Sequence, residues 1–483
     1  MRLPPRAWAS IVAAAAVAAG IGLRVWVFTS PLSSLESDEA VVGLMAMRAL
    51  DGDVPVFYWG GLYGGSQEAL VTAAAFAVTG PETLVLKLVS VAMFALAAVL
   101  VWRVGRRTVG EPAARIGAGL FCIWPPFLVW WSTKARAFYG SGLAIGLAAL
   151  LLVLRLRERD SKGDAALLGL VLGLGLWATL QSYLLAAPAL AWLAWSRPAA
   201  YRLAPFALPG LVVGALPWLA WNVTHGWNAV IPRSVAGEET TYLERLWDFF
   251  SIVLPSWLGL RVPYSLDWVP GPLLGALLLV LALAAFVVLL VRRPPGLEPL
   301  LVVGVVFPFL SAASSFTYWV GEPRYVVFLA PVPALLLGWG LVHFGPRVAM
   351  IGLALAFVAS LAGLIQLERQ GDFLPGRPDQ HGPPNIRPVV ETLERNGVDR
   401  VRANYWIAYR ITFESEERVV ASPGFWRYKP YRDLVAADPR PGRVFVAGSP
   451  EERDERQDLL RSGYVRRVVG EGFAVYIPPR PGT

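Results

Sequence analysis

About eleven apolar segments, each near or above the length that crosses a bilayer, fill the chain as far as Ile365 and leave few soluble folds open to it. They run Trp8–Phe28, Thr83–Trp102, Ala113–Trp131, Phe138–Leu154, Ala165–Leu180, Leu184–Trp195, Leu203–Trp221, Leu273–Val291, Leu300–Phe316, Val326–Val342 and Val348–Ile365. Charged residues make up only 16% of the 483, and mean hydropathy is +0.51; a soluble domain carries about 25% charged residues. The expected fold is a polytopic α-helical membrane protein with about 11 transmembrane helices. Its first span is expected to be retained and not cleaved as a signal peptide, because the alternation of loops stays in phase with it.

Arginines orient those spans. Arg106 and Arg107, then Arg155, Arg157 and Arg159, then Arg197 and Arg202, then Arg292 and Arg293, then Arg347 fall in alternate loops, which read as cytoplasmic. The opposite side then holds a first outer loop at about 29–82, a second at about 222–270, and everything after Leu367. This reading puts the protein in the plasma (inner) membrane. The formal charge of +8 comes mostly from the membrane part and is largely explained by positive-inside loops, so nothing reads as a nucleic-acid surface. Lone Cys122, within a span, excludes an intramolecular disulfide.

Past Ile365 the hydropathy falls. The spans are assigned to 1–366, a Pro- and Gly-rich linker to 367–388, and a soluble extracytoplasmic α/β domain to 389–483. Within that domain, helices at Val389–Arg395, Trp406–Phe413, Tyr431–Ala437 and Glu451–Arg461 alternate with strands at Arg400–Ala403, Arg418–Ala421 and Val444–Ala447. Two more strands close it at Val465–Val469 and Phe473–Ile477, predicting a partly parallel sheet.

The first outer loop carries the chemistry-bearing residues. Asp38 and Glu39 are adjacent, so on a helix they diverge by roughly 100° and cannot aim at one atom. Either one does chemistry while the other fixes the loop or a ligand, or both cap the run Val41–Leu50 as first-turn acids. Glu68, two residues after Ser66, has the same two readings. Phe57, Tyr58, Trp59 and Tyr63 suit stacking on a sugar or an interfacial aromatic belt. Gly60, Gly61, Gly64 and Gly65 are not followed by Gly-Lys-Ser/Thr, so they form no phosphate loop.

Three cations break the positive-inside trend. Lys134, Arg136 and Arg324 lie on the outer side, Arg136 shares a helical face with Tyr139, and Arg324-Tyr325 follows Tyr318-Trp319. They suit an anionic phosphate head whose lipid tail lies in the bilayer, or ion pairs to Glu322, Asp38 or Glu68. Arg24 reads as a snorkelling or ion-paired residue. His225 with Glu238 or Glu239 lacks metal-ligand spacing, so no metal site is assigned; a divalent cation stays compatible with the acids, and no cofactor is required.

The order Asp38-Glu39-Ala40, Gly43-Leu44-Met45-Ala46, Pro55-Val56-Phe57, Gly64-Gly65-Ser66-Gln67-Glu68, Lys134-Ala135-Arg136-Ala137-Phe138-Tyr139 and Pro323-Arg324-Tyr325 resembles the bacterial C-type (GT-C) glycosyltransferases. Within them it is most similar to the protein O-mannosyltransferase and lipid A aminoarabinose transferase group. The resemblance implies transfer of a sugar, with inversion, from a polyprenyl-phosphate donor to a lipid, glycan or protein acceptor at the outer face. It implies Asp38 as general base, Glu39, Glu68, Tyr63 and Tyr139 around the substrates, and Arg136, Arg324 and Lys134 at the lipid phosphate. The chain departs from many relatives at Gly64-Gly65-Ser66-Gln67, where they carry a proline-rich loop end, which loosens the assignment of Glu68. A transporter or lipid-linked-sugar flippase is the competing class, expected to place charges near mid-span.

Overall fold

A computed structural model describes residues 5–230, 240–314, 320–371, 378–424 and 427–479. Through residue 370 the chain is helical. Among the described residues, five helices are long and apolar enough to cross a membrane unbroken: Ala7–Thr29, Thr83–Thr108, Tyr139–Glu158, Pro272–Arg292 and Pro346–Gln370. A sixth candidate, Pro198–Gly214 with Leu216–Thr224, bends by 63° at its break. The remaining apolar runs form shorter or interrupted helices, so a count of eleven continuous spans is not reached by length and composition. Proline is one cause: the run Ala113–Trp131 divides into helices Glu111–Ile123 and Pro126–Trp131 around Pro125, which cannot donate a backbone hydrogen bond.

Small residues let these helices touch. Lys162–Ala178 lies against Ala204–Gly214 at Gly169, Gly173, Gly210 and Gly214, and a Cβ on Gly169 would sit 1.9 Å from the Ala207 carbonyl oxygen. Between the first two long helices, the first loop folds into helix Ser37–Leu50, an aromatic turn and helix Gln67–Thr79. The Ser37–Leu50 helix starts where the Glu36 backbone N–H donates to the Glu39 carboxylate at 3.3 Å and ends at Asp51-Gly52, where Gly52 takes φ +92°.

The last hundred residues form a five-stranded sheet of β1 (Arg400–Ala403), β2 (Val420–Ser422), β3 (Gly442–Val446), β4 (Val465–Val469) and β5 (Phe473–Ile477), in the order β2-β1-β3-β5-β4. The first three are parallel and the rest antiparallel. Each is within two residues of its sequence expectation, as are helices Arg387–Arg395, Tyr405–Glu414, Lys429–Ala437 and Pro450–Arg461. Side-chain alternation along the strands divides the core. Val401, Val444 and Val475 meet Val389, Leu393, Ile407 and Ile411 on one face, while Phe445, Ala474 and Tyr476 meet Leu459 on the other.

This domain is docked on the first loop. Phe413 of Tyr405–Glu414 presses against Gly43, where a Cβ would lie 2.4 Å from the ring, so a larger residue at 43 would push the domain away. Arg48 pairs with Glu417 at 2.8 Å, Ser37 Oγ donates to the Tyr405 carbonyl at 2.6 Å, and Trp59 stacks on Tyr428 at 4.0 Å. Tyr409, Phe413, Tyr431 and Val435 of the domain consequently share one buried apolar cluster with the membrane part.

Candidate functional site

Asp38 occupies the seam between the first loop and the docked domain. Its Oδ1 accepts from Arg427 Nη2 at 3.0 Å, from Tyr58 Oη at 3.3 Å and from Tyr405 Oη, and Arg427 Nε also donates to Tyr405 Oη. Gly60, at φ +75°, lets the Arg427 chain pass: a Cβ there would come 2.9 Å from Arg427 Cγ. The Asp38 and Arg427 side chains keep 17% and 15% exposure, so the seam is open to solute. Burial alone would raise the Asp38 carboxyl. Arg427 foremost, then Arg136, the Tyr405 hydroxyl and Arg324, overcome that and hold it below the usual carboxylate range.

Glu39 points the other way. Its carboxylate, fully buried, receives Lys87 Nζ, Lys134 Nζ at 3.4 Å and the Ala135 backbone N–H at 2.9 Å. Lys134 Nζ also donates to the Ser34 carbonyl at 2.8 Å. Arg136, equally buried, donates to both Glu36 oxygens and to Glu322 Oε1 at 2.8 Å, with its guanidinium 4.4 Å from the Trp131 ring centroid. Glu322 also accepts from Tyr264 Oη at 2.7 Å and pairs with Arg324, whose side chain is 15% exposed. Lys134 and Arg136 are thus tied into internal ion pairs, whereas Arg324 and Arg427 reach the solvent-facing side. Five cations meet four carboxylates here, a positive excess suited to an anion.

Glu68 opens the Gln67–Thr79 helix and is 1% exposed. Burial, reinforced by the Glu39 charge and opposed by the Ser90 hydroxyl, raises its carboxyl well above the usual range. Ser66 Oγ, both amide atoms of Gln67, Glu68 Oε1 and Thr72 Oγ1 are buried with no protein hydrogen-bond partner. Clustered unsatisfied groups of this kind are costly, and a ligand's hydroxyls would satisfy them. Tyr63 and Tyr139 belong to an aromatic wall: Tyr63 meets Phe138 edge-on at 5.8 Å, and Tyr139 lies 4.9 Å from Phe138 and 5.9 Å from Tyr325.

Reading the sequence missed Tyr405, Arg427, Lys87 and Glu36. The first two lie 367 and 389 residues from Asp38, beyond any local pattern. Arg427 stands in the aromatic and basic run Phe425-Trp426-Arg427-Tyr428-Lys429, the one signal that could have drawn notice. Elsewhere, Arg24 hydrogen-bonds Ser132 Oγ at 2.9 Å and the Cys122 carbonyl at 2.7 Å. His225 stacks on Trp221 at 4.1 Å. Glu238, Glu239, Tyr318 and Trp319 lie outside the described residues.

No family model and no curated protein matches the chain. Solved structures do. The chain is similar to ArnT from Cupriavidus metallidurans bound to undecaprenyl phosphate, at TM-score 0.58 and 12% identity over 96% of this chain and 97% of that one. It is also similar to the oligosaccharyltransferase AglB from Archaeoglobus fulgidus, in complex with an inhibitory peptide and a dolichol-phosphate, at TM-score 0.52 and 13% identity over 94% and 71%. A further structure of the Archaeoglobus fulgidus oligosaccharyltransferase, with Zn and sulfate, matches at TM-score 0.50 and 13% identity over 97% and 74%. The chain therefore shares the fold of these structures, a helical membrane part with a C-terminal sheet domain. For a metal such as zinc the residues are a poor fit: no three His, Cys, Asp or Glu side chains converge among the described residues, and Glu36, Asp38, Glu39 and Glu322 are each matched to a cation.

Proposed function

We propose that this protein is an inverting glycosyltransferase that moves a sugar from a polyprenyl-phosphate donor to an acceptor hydroxyl at the outer membrane face, with Asp38 as general base. The observation that carries the reading is the seam itself: a partly open, ionised carboxylate beside solvent-facing Arg324 and Arg427, on the GT-C fold. Phosphate is an adequate leaving group, so catalysis needs a base, alignment and charge stabilisation.

The donor phosphate would bind Arg324 and Arg427, while Arg136 and Lys134 hold the underlying acids in balance. Drawing Arg427 from Asp38 would raise the carboxylate's proton affinity as the acceptor arrives. Sugar hydroxyls would satisfy Gln67, Glu68 and Thr72, with Tyr63 and Tyr139 along the ring. For the isoprenoid tail, an apolar cavity of about 330 Å³ opens among Phe249, Trp257, Phe286, Phe309 and Val332, beginning at Leu329, five residues past Arg324.

Purified protein incubated with several polyprenyl-phosphate sugars should release polyprenyl phosphate and yield product of inverted anomeric configuration. Asp38→Asn should cut turnover by about 10²–10⁴ while donor affinity stays within a few-fold. Substantial turnover in Asp38→Asn would remove Asp38 as base. Absence of cleavage across a broad panel, with gradient-driven movement of intact lipid in liposomes, would establish the flippase class instead.

A further inference from the structure

A second cavity, of about 450 Å³, lies wholly within the C-terminal domain. Its floor is the sheet face that carries Phe445, and its walls are the helices Lys429–Ala437 and Pro450–Arg461, which stand apart over β1 and β3. In an open sheet with parallel strands, ligands settle outside the carboxyl ends where strand order reverses, here between β1 and β3. Cavities of this size accommodate small molecules.

Its charges favour an anion. Ser422, Arg402 and Arg443 stand in register across β2, β1 and β3, so two guanidinium side chains lie side by side on one face, an arrangement that costs stability when nothing offsets it. Arg432 lines the same space. Glu455 pairs with Arg443 at 3.2 Å, Glu451 accepts from Asn404 at 3.3 Å, and Arg432 pairs with its neighbour Asp433 at 2.8 Å. Among the described residues no carboxylate pairs with Arg402. The apolar lining of Phe445, Val435 and Pro423 suits the C–H face of a sugar ring, and Ser422, Asn404 and Glu451 suit its hydroxyls.

The cavity's lining continues in sequence into the seam. Asn404 lines it, and the next residue, Tyr405, bonds Asp38; Ser422, Pro423 and Gly424 line it, and Arg427, three residues on, bonds Asp38. The two residues that the C-terminal domain places on the Asp38 carboxylate thus spring from the same strand ends that bound this space. We propose that the cavity is the acceptor site and takes a glycan bearing an acidic group, carboxylate or phosphate. The inference rests on the transferase reading for the word acceptor, and on the cavity alone for the glycan.

The full-length protein carrying Asp38→Asn, which cannot turn over, is titrated with a disaccharide ending in glucuronic acid, with a hexose 6-phosphate, and with a neutral disaccharide. At least one acidic probe should bind more tightly than the neutral one, and Arg402→Glu should weaken it on the order of ten-fold or more. Arg432→Glu, on an exposed helix face, should do the same. Failure of both acidic probes to bind, or affinities unchanged within two-fold in both variants, overturns the proposal. Donor cleavage by the unsubstituted protein is scored separately: acidic-probe binding lost in Arg402→Glu without any donor cleavage would retain the glycan site and sink the transferase reading.

Discussion

Asp38 and Arg427, 389 residues apart in the chain, meet at 3.0 Å, one in the first loop and the other in the C-terminal domain. The contact makes the acidity of the proposed base a property of the docked pair, since Arg427 is the largest influence opposing burial on Asp38.

That dependence gives a pH test. A depressed carboxyl remains a competent base down to low pH, and losing Arg427 removes the largest of the influences that depress it. Arg427→Ala should move the acid limb of the kcat profile to higher pH, and Arg427→Lys should move it less. The contribution to stability has the same sign: it is present above the unfolded carboxyl's pKa and is lost as pH falls through the folded one. An acid limb identical to that of the unsubstituted enzyme would separate Arg427 from the base.

Glu39 should answer as a structural acid. Glu39→Gln leaves Lys87 and Lys134 buried without their carboxylate, so folding stability should drop by about 3–5 kcal/mol. Thermal unfolding of the detergent-solubilised protein reads this directly. A variant of unchanged melting temperature with a raised KM would instead place Glu39 at a substrate.

Glu68 predicts the opposite direction. Because its carboxyl is raised in the folded state, holding the proton costs stability at pH 7, where the unfolded chain would ionise, and costs nothing below the unfolded pKa. Glu68→Gln should therefore melt higher than the parent at pH 7, and equally at pH 4. Equal melting at both pH values would show Glu68 ionised.

Topology is testable in a Cys122→Ser background. Single cysteines at Arg106, Arg157 and Arg293 should resist a membrane-impermeant thiol reagent in intact cells, while those at His225 and Tyr464 should label. Labelling at 157 would invert the orientation.

What the sequence revealed follows from the range of each interaction. The strands β1, β4 and β5 end where they were expected because β-branched alternation and bounding Gly or Pro are local signals. The divergence of Asp38 from Glu39 was legible from helical geometry alone. Length was harder: hydropathy sums across Pro125 and Pro126 as if the backbone were continuous, yet the helix stops there. The partners of Asp38 were invisible because no spacing links position 38 to 405 or 427 before the domain docks.

The Phe413–Gly43 contact has an implication for how such a chain can be divided. A proline-rich connection invites treating the last hundred residues as a detachable module, to be exchanged or expressed by itself. Here the helix that receives Phe413 is also the helix that presents Asp38, and the detached domain would take Tyr405 and Arg427 with it. Cutting at the linker would leave two halves, each with an apolar face stripped bare and neither with an intact reaction centre; chimaeras should be joined by exchanging residues 37–50 together with the domain that sits on them.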